Sequence, residues 1–259
     1  VPEICVEPGA HGTPYDPTIY GNRIMALQLS IGETSVTGPR SENQDALRVV
    51  TPAPALAASK GYLLGLADGV SQCADGGLAA RATRQALALD YYSTPETWPV
   101  QHSLDRLLVA HNRWLQANGG GQPLLTTLTA LVLRGRRYTL AHIGDSRAYL
   151  WRHGALRQLT TDHTSVQRLV DDGVLTPEQA AVHPDASVLD RAIGHKAVVE
   201  VDVLDWQPLG HGDLLLLCSD GLSGFVADER IAAVLSQGGE PQALVDQLIE
   251  SALAAGGHD

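Results

Sequence analysis

No stretch of this chain approaches the ~20 consecutive apolar residues that a membrane span requires; the run from Leu214 to Cys218 is far too short. An N-terminal basic-then-apolar signal peptide is also lacking, so nothing argues for secretion. Cysteine is scarce. Cys5, Cys73 and Cys218 are odd in number and scattered, which argues against a disulfide framework or a clustered zinc site and suits a reducing, cytoplasmic compartment. Basic residues form no stripe, and the formal net charge is −11, which argues against nucleic acid as a partner. The densest basic cluster, Arg134, Arg136 and Arg137, flanks Gly135 and reads as a solvated hairpin turn. There is no internal repeat and no low-complexity linker, so one domain is favoured. Also missing are a Gly-x-Ser-x-Gly elbow, a cysteine in a phosphate-cradling loop and a Walker A loop. These absences remove the common covalent hydrolases and the P-loop nucleotide hydrolases.

What is present is a patterned chain of 259 residues, 44% hydrophobic and long enough to bury a substantial core. Residues 1–24 are rich in proline and glycine, have no clear periodicity and read as an irregular arm or extension. The only methionine, Met25, follows directly, and the natural start is expected there. Strands are expected at 26–30, 63–67, 129–133, 138–143, 147–151 and 213–218, and helices at 77–91, 103–117, 227–236 and 241–254. Short pieces at 165–172, 176–182 and 188–193 suggest a lid of small helices inserted over about 162–205. The second piece opens with Thr176-Pro177-Glu178-Gln179, a capping box with proline at the first helical position. Hairpins beside pairs of helices point to an α+β fold, with helix layers on antiparallel sheets.

The aspartates are informative by position. Residues 63–67 run into Asp68-Gly69, 138–143 into Gly144-Asp145, and 214–218 into Ser219-Asp220-Gly221. A single Asp-Gly after a strand is usually only a turn. Three such ends, if they share one sheet edge, bring carboxylates together that repel unless cations intervene. Oxygen-only ligands suit the hard ions Mg²⁺ and Mn²⁺. The polar loop Arg40-Ser41-Glu42-Asn43-Gln44-Asp45 adds an arginine, whose guanidinium can fork onto phosphate oxygens.

At these residues the sequence resembles the metal-dependent protein serine/threonine phosphatases of the PPM class, also called type 2C. The resemblance runs from about Met25 to the C-terminus. It is carried by Arg40-x-x-Asn43-Gln44-Asp45, Ala67-Asp68-Gly69, Thr126-Thr127-Leu128-Thr129 and Gly144-Asp145-Ser146-Arg147. It continues through Leu159-Thr160-Thr161-Asp162-His163-Thr164, Val188-Leu189-Asp190-Arg191-Ala192-Ile193-Gly194, Cys218-Ser219-Asp220-Gly221 and Gly257-His258-Asp259. The resemblance implies an αββα four-layer sandwich of two antiparallel sheets flanked by helices. It implies two Mn²⁺ or Mg²⁺ ions, with a third weaker site, and water activated between the ions to hydrolyse phosphoserine and phosphothreonine esters. Carried over by position, Asp68 would bridge the ions and the Gly69 carbonyl would serve one of them. Asp220 and Asp259 would bind the other, Asp45 would act through water, and Asp145 with Asp220 would form the third site. Arg40 would hold the phosphate, and the inserted lid would be the family's flap. The implied partners are phosphorylated proteins and a cognate serine/threonine kinase, in the same polypeptide or pathway.

The sequence departs from the family pattern after Asp68-Gly69, where Val70-Ser71-Gln72-Cys73-Ala74-Asp75 precedes Gly76-Gly77. Val70 replaces a histidine that serves some members as general acid. The altered loop looks closest to bacterial members fused to a kinase domain. Family members also continue past the last aspartate with an Asn and an apolar strand; here that strand is expected to be missing. His142, His163 and His195 are expected to be structural. Two other readings stay open: a phosphatase-like sensor or binding module without turnover, and an unrelated Mg²⁺-dependent hydrolase of small phosphate esters.

Overall fold

A computed structural model of the chain describes residues 2–8, 27–73 and 75–257. In chain order it contains β1 (Pro2–Pro8), β2 (Leu29–Ser35), β3 (Asp45–Val50), α1 (Pro54–Lys60) and β4 (Tyr62–Asp68). Two long helices follow, α2 (Gly76–Ser93) and α3 (Val100–Asn118), then β5 (Leu128–Arg134), β6 (Arg137–Ile143), β7 (Arg147–Arg152) and β8 (Ala155–Gln158). The remainder is α4 (Ser165–Asp171), α5 (Pro177–Ala181), β9 (Asp202–Pro208), β10 (Leu214–Cys218), α6 (Asp220–Ser223), α7 (Asp228–Leu235) and α8 (Pro241–Ala254).

The strands form two five-stranded antiparallel sheets, β2-β1-β10-β7-β8 and β3-β4-β5-β6-β9. Strand alternation divides their side chains between layers. In β10, Leu215 and Leu217 face the other sheet, while Leu214, Leu216 and Cys218 face α7 and α8. In β4, Leu64 and Leu66 face inward, while Leu63 and Ala67 face α2 and α3. Gly65 shares that outer face. A Cβ there would come within 2.6 Å of Leu87 Cδ1, so the missing side chain lets α2 approach closely. Helix, sheet, sheet and helix thus stack as the expected αββα sandwich. Each fully buried leucine contributes about 1.5–3 kcal/mol relative to exposure.

Several expectations need correction. The reading of 1–24 as an irregular arm fails for Pro2–Pro8, which forms β1 and lies between β2 and β10. Residues 9–24, the proposed start at Met25 and residues 258–259 lie outside the described residues. The strand expected at 26–30 falls at Leu29–Ser35, where Gly32 leaves room for the first turn of α8. The helix expected at 188–193 is extended chain, bridged through Leu189 to Thr164 and through Ile193 to Thr126. The inserted segment ends sooner than 205, because Asp202–Pro208 pairs with β6 as a core strand. The arginine turn is also more than solvated. Arg134 and Arg137 sit over the Trp206 ring, 4.9 and 5.4 Å from its centroid, and Arg134 Nη1 donates to the Ser59 carbonyl at 2.8 Å.

β1 carries a conspicuous cost. Glu3 is fully buried on the face it shares with Cys5, and neither carboxyl oxygen has a hydrogen-bond partner. Burial pushes this carboxyl well above the usual carboxylate range, and Asp246 of α8 pushes it the same way. Glu3→Val should therefore raise stability at pH 7 by about 1–3 kcal/mol. A raised folded-state pKa means that wild type is penalised only above the unfolded value of about 4.3. Urea denaturation should show the gain shrinking as pH falls towards that value. A variant no more stable than wild type at pH 7 would show that Glu3 is accommodated without cost.

Candidate active site

One short crossover between the sheets matters most here: β6 ends at Ile143 in one sheet and β7 begins at Arg147 in the other. Asp145 sits on that crossover. Asp68 is the last residue of β4, and Asp220 opens α6 directly after β10. Strand ends of both sheets therefore deliver carboxyl groups to one place. Asp68, Asp145 and Asp220 line a cavity of about 590 Å³ together with Gly69 and Arg40. Asp45 is the cross-strand neighbour of Asp68 at the start of β3, outside the cavity wall. Asp259 lies outside the described residues.

The Asp68 backbone is held from β5's leading edge. Its N–H donates to Thr127 Oγ1 at 3.1 Å, and its carbonyl accepts from the Thr127 N–H and the Thr126 hydroxyl, both at 2.8 Å. Thr127 Oγ1 also lies 2.9 Å from Ser146 Oγ, which ties the Asp68 strand end to the crossover carrying Asp145. The residue after Asp68 has to be glycine. A Cβ on Gly69 would fall 2.2 Å from the Gly76 carbonyl oxygen. Gly76 is equally tight, since its Cβ would lie 2.7 Å from the Val70 carbonyl. Gly69 and Gly76, on either side of the unusual stretch, thus lie backbone to backbone.

The Arg40 loop has its own supports. Asn43 Nδ2 donates to Ser35 Oγ at 2.8 Å, and Asn43 Oδ1 accepts from the Asp45 N–H at 3.0 Å. Arg81 of α2 donates to Glu42 at 3.2 Å. These contacts fix the loop against β2, β3 and α2, and Arg40 lines the same cavity as the aspartates.

The electrostatics fit hard cations. Burial first, then the negative charges of Asp220 and Asp162, together push the Asp145 carboxyl up to about 8. A divalent cation among these groups removes that penalty, and every candidate donor is an oxygen. Among the described residues, no three His, Cys, Asp or Glu side chains already stand close enough to hold an ion. The carboxyls line one cavity without forming a closed cage. The second arginine of the cavity is committed elsewhere. Arg147 grips Asp162 in a fork, with Nη2 to Oδ2 at 2.7 Å and Nε to Oδ1 at 3.0 Å. Val166, Val170, Ala180 and Leu189 of the inserted segment add apolar lining to the same cavity.

The sequence reading brought Asp68, Gly69, Asp145, Asp220 and Arg40 to one cavity. It assigned no role to Thr126, Thr127, Ser146, Arg147 or Asp162, although all stand in the motifs that carried the resemblance.

With this geometry in view, the chain belongs to the protein phosphatase 2C family, whose family profile matches residues 38–250. It is similar to the serine/threonine protein phosphatase PstP of Mycobacterium tuberculosis, 44% identical over 204 residues. That match takes in 76% of this chain but 38% of PstP, so the chain spans well under half the length of this curated relative. The crystal structure of the Mycobacterium tuberculosis PstP/Ppp phosphatase superposes with a TM-score of 0.73 at 39% identity, covering 87% of this chain and 92% of that one. A PstP catalytic domain in complex with two manganese ions superposes with a TM-score of 0.69 at 38% identity, covering 85% and 89%.

Proposed function

We propose that this chain is a protein serine/threonine phosphatase, hydrolysing phosphoserine and phosphothreonine esters at a dinuclear manganese or magnesium centre. The observation that carries the reading is the shared cavity: three strand-end carboxyls and one arginine converge on a space of about 590 Å³. Asp68 would bridge two ions, with the Gly69 carbonyl on one and Asp220 and Asp259 on the other. Asp45 would act through water, and Asp145 with Asp220 would hold a weaker third ion. When bound, such ions lower the pKa of water and draw charge from the phosphoryl oxygens.

The chain's own groups do the rest. Arg40 binds the phosphate in a fork and orients it. Thr126 and Thr127 hold the Asp68 backbone, so the carboxyl keeps its aim while charge builds on the substrate. Val70 follows Gly69 and has no proton to give, so the leaving serine or threonine oxygen takes its proton from solvent. Substrates would be phosphorylated proteins in the cytoplasm, made by a partner serine/threonine kinase. No described helix is long and apolar enough to cross a membrane.

The decisive assay is phosphate release from a phosphothreonine peptide and from a small aryl phosphate, each with Mn²⁺. The peptide should be turned over with the higher kcat/KM. Turnover of the aryl phosphate alone would point to a small-ester hydrolase, and turnover of neither to a binding module.

A further inference from the structure

Gly144 precedes Asp145, and both of its backbone polar groups go to one residue. The Gly144 N–H donates to His163 Nδ1 at 3.1 Å, and the Gly144 carbonyl accepts from the His163 N–H at 2.7 Å. Gly144 has φ +114°, and a Cβ there would lie 2.5 Å from the Thr127 side chain. The crossover therefore runs through a conformation that favours glycine and that a partner must hold. His163 is buried, and its other ring nitrogen lies 3.1 Å from Asp202 Oδ2. Two N–H groups cannot face each other, so a neutral ring accepting at Nδ1 carries its proton on Nε2 and donates it to Asp202. Arg191 Nη1 donates to Asp202 Oδ1 at 3.1 Å and stands 3.4 Å from the same Nε2, a longer contact than that of Asp202. The His163 carbonyl accepts from the Asp190 N–H at 2.8 Å.

The adjacent residue grips the other side of the same crossover. Asp162 forks onto Arg147, two positions after Asp145. Asp162 and His163 stand where the inserted segment leaves the core, and Asp202 stands where it returns. The base of that segment is thus closed by the His163–Asp202 contact and clamps the crossover at Gly144 and Arg147.

We propose that His163 is a positioning residue: in its Nε2–H tautomer, fixed by Asp202, it sets the Gly144 backbone and hence the aim of Asp145 into the cavity. The inference rests on the phosphatase reading only for what Asp145 is aimed at. Nitrogen chemical shifts of His163 in the wild-type protein give the first test. An unprotonated Nδ1 is expected; a proton on Nδ1 overturns the proposal, because that nitrogen could not then accept from Gly144. A pair of substitutions gives the second. In His163→Asn the side-chain oxygen can stand in for Nδ1 and keep the Gly144 contact. In His163→Gln the amide reaches the Nε2 position, keeping the Asp202 contact and losing Gly144. The Gly144 amide resonance should stay near its wild-type position in H163N and move in H163Q. Calorimetric titration should show Mn²⁺ binding weakened about tenfold or more in H163Q and much less in H163N. Equal changes in both variants, or the reverse order, would show that His163 only fills space. These readouts need no turnover, so failure of the phosphatase reading would appear separately, as wild-type protein that leaves phosphopeptide intact.

Discussion

Chelation of divalent cations with EDTA is expected to bring phosphopeptide hydrolysis down to the blank rate, and added Mn²⁺ is expected to restore it. The reason lies in the charge balance of the cavity. Its described wall carries four carboxyl groups, Asp68, Asp145, Asp162 and Asp220, against two arginines, Arg40 and Arg147. One of those arginines is already engaged with Asp162. Without cations, a dianionic phosphate enters a space in which carboxyl groups outnumber arginines. With cations, the same carboxyls become the means of holding positive charge next to the phosphoryl oxygens. Hydrolysis that continues in EDTA at its Mn²⁺-supported rate would remove the metal-dependent mechanism. Protein phosphatase inhibitors of the okadaic type should have no effect.

Asp68→Asn is expected to lower kcat by at least ~10²-fold, the scale on which losing one electrostatic element costs catalysis. The substitution keeps the shape of the side chain and leaves its backbone contacts to Thr126 and Thr127 intact. It removes one negative charge from a cavity in which Asp220 and Asp162 already disfavour ionisation of Asp145. The folded state should therefore persist, with a thermal transition no lower than wild type, while Mn²⁺ binding weakens. Activity within a few-fold of wild type in the folded variant would show that Asp68 does not bridge the ions.

The two halves of the molecule were not equally legible in the sequence. Helix α8 was readable to the residue because Pro241 marks its start and Leu244, Leu248 and Ala252 recur on one face. The central strands β4, β5, β6 and β10 were readable because both faces are buried, which writes them as near-continuous apolar runs. Edge strands hide better. β8 exposes alternate residues, β9 is only partly covered, and they contain Arg157, Asp202 and Asp205, so no apolar run announces them. β1 was missed because prolines bound it and Glu3 occupies a buried position, against every local preference.

The site divides in the same way. Its aspartates were visible because each follows an apolar strand, a signal contained within a few residues. Their supports were not visible, because each depends on residues that only the fold brings together. Thr127 acts on Asp68 across 59 positions and Asp162 on Arg147 across 15. No local pattern encodes such a contact, even where both partners stand in familiar motifs.

The position of β1 also constrains how the protein can be made. Its register pairs Glu3 with Thr34 on one side and with Cys218 on the other. The first pairing is available as soon as β2 leaves the ribosome. The second joins residues roughly two hundred positions apart, so all the intervening chain must be synthesised before it can form. Until then β1 presents an unpaired row of N–H and C=O groups, the kind of edge on which nascent chains associate with one another. Final closure of that sheet is thus set by when β10 arrives, and β1 is among the last strands to be locked in place.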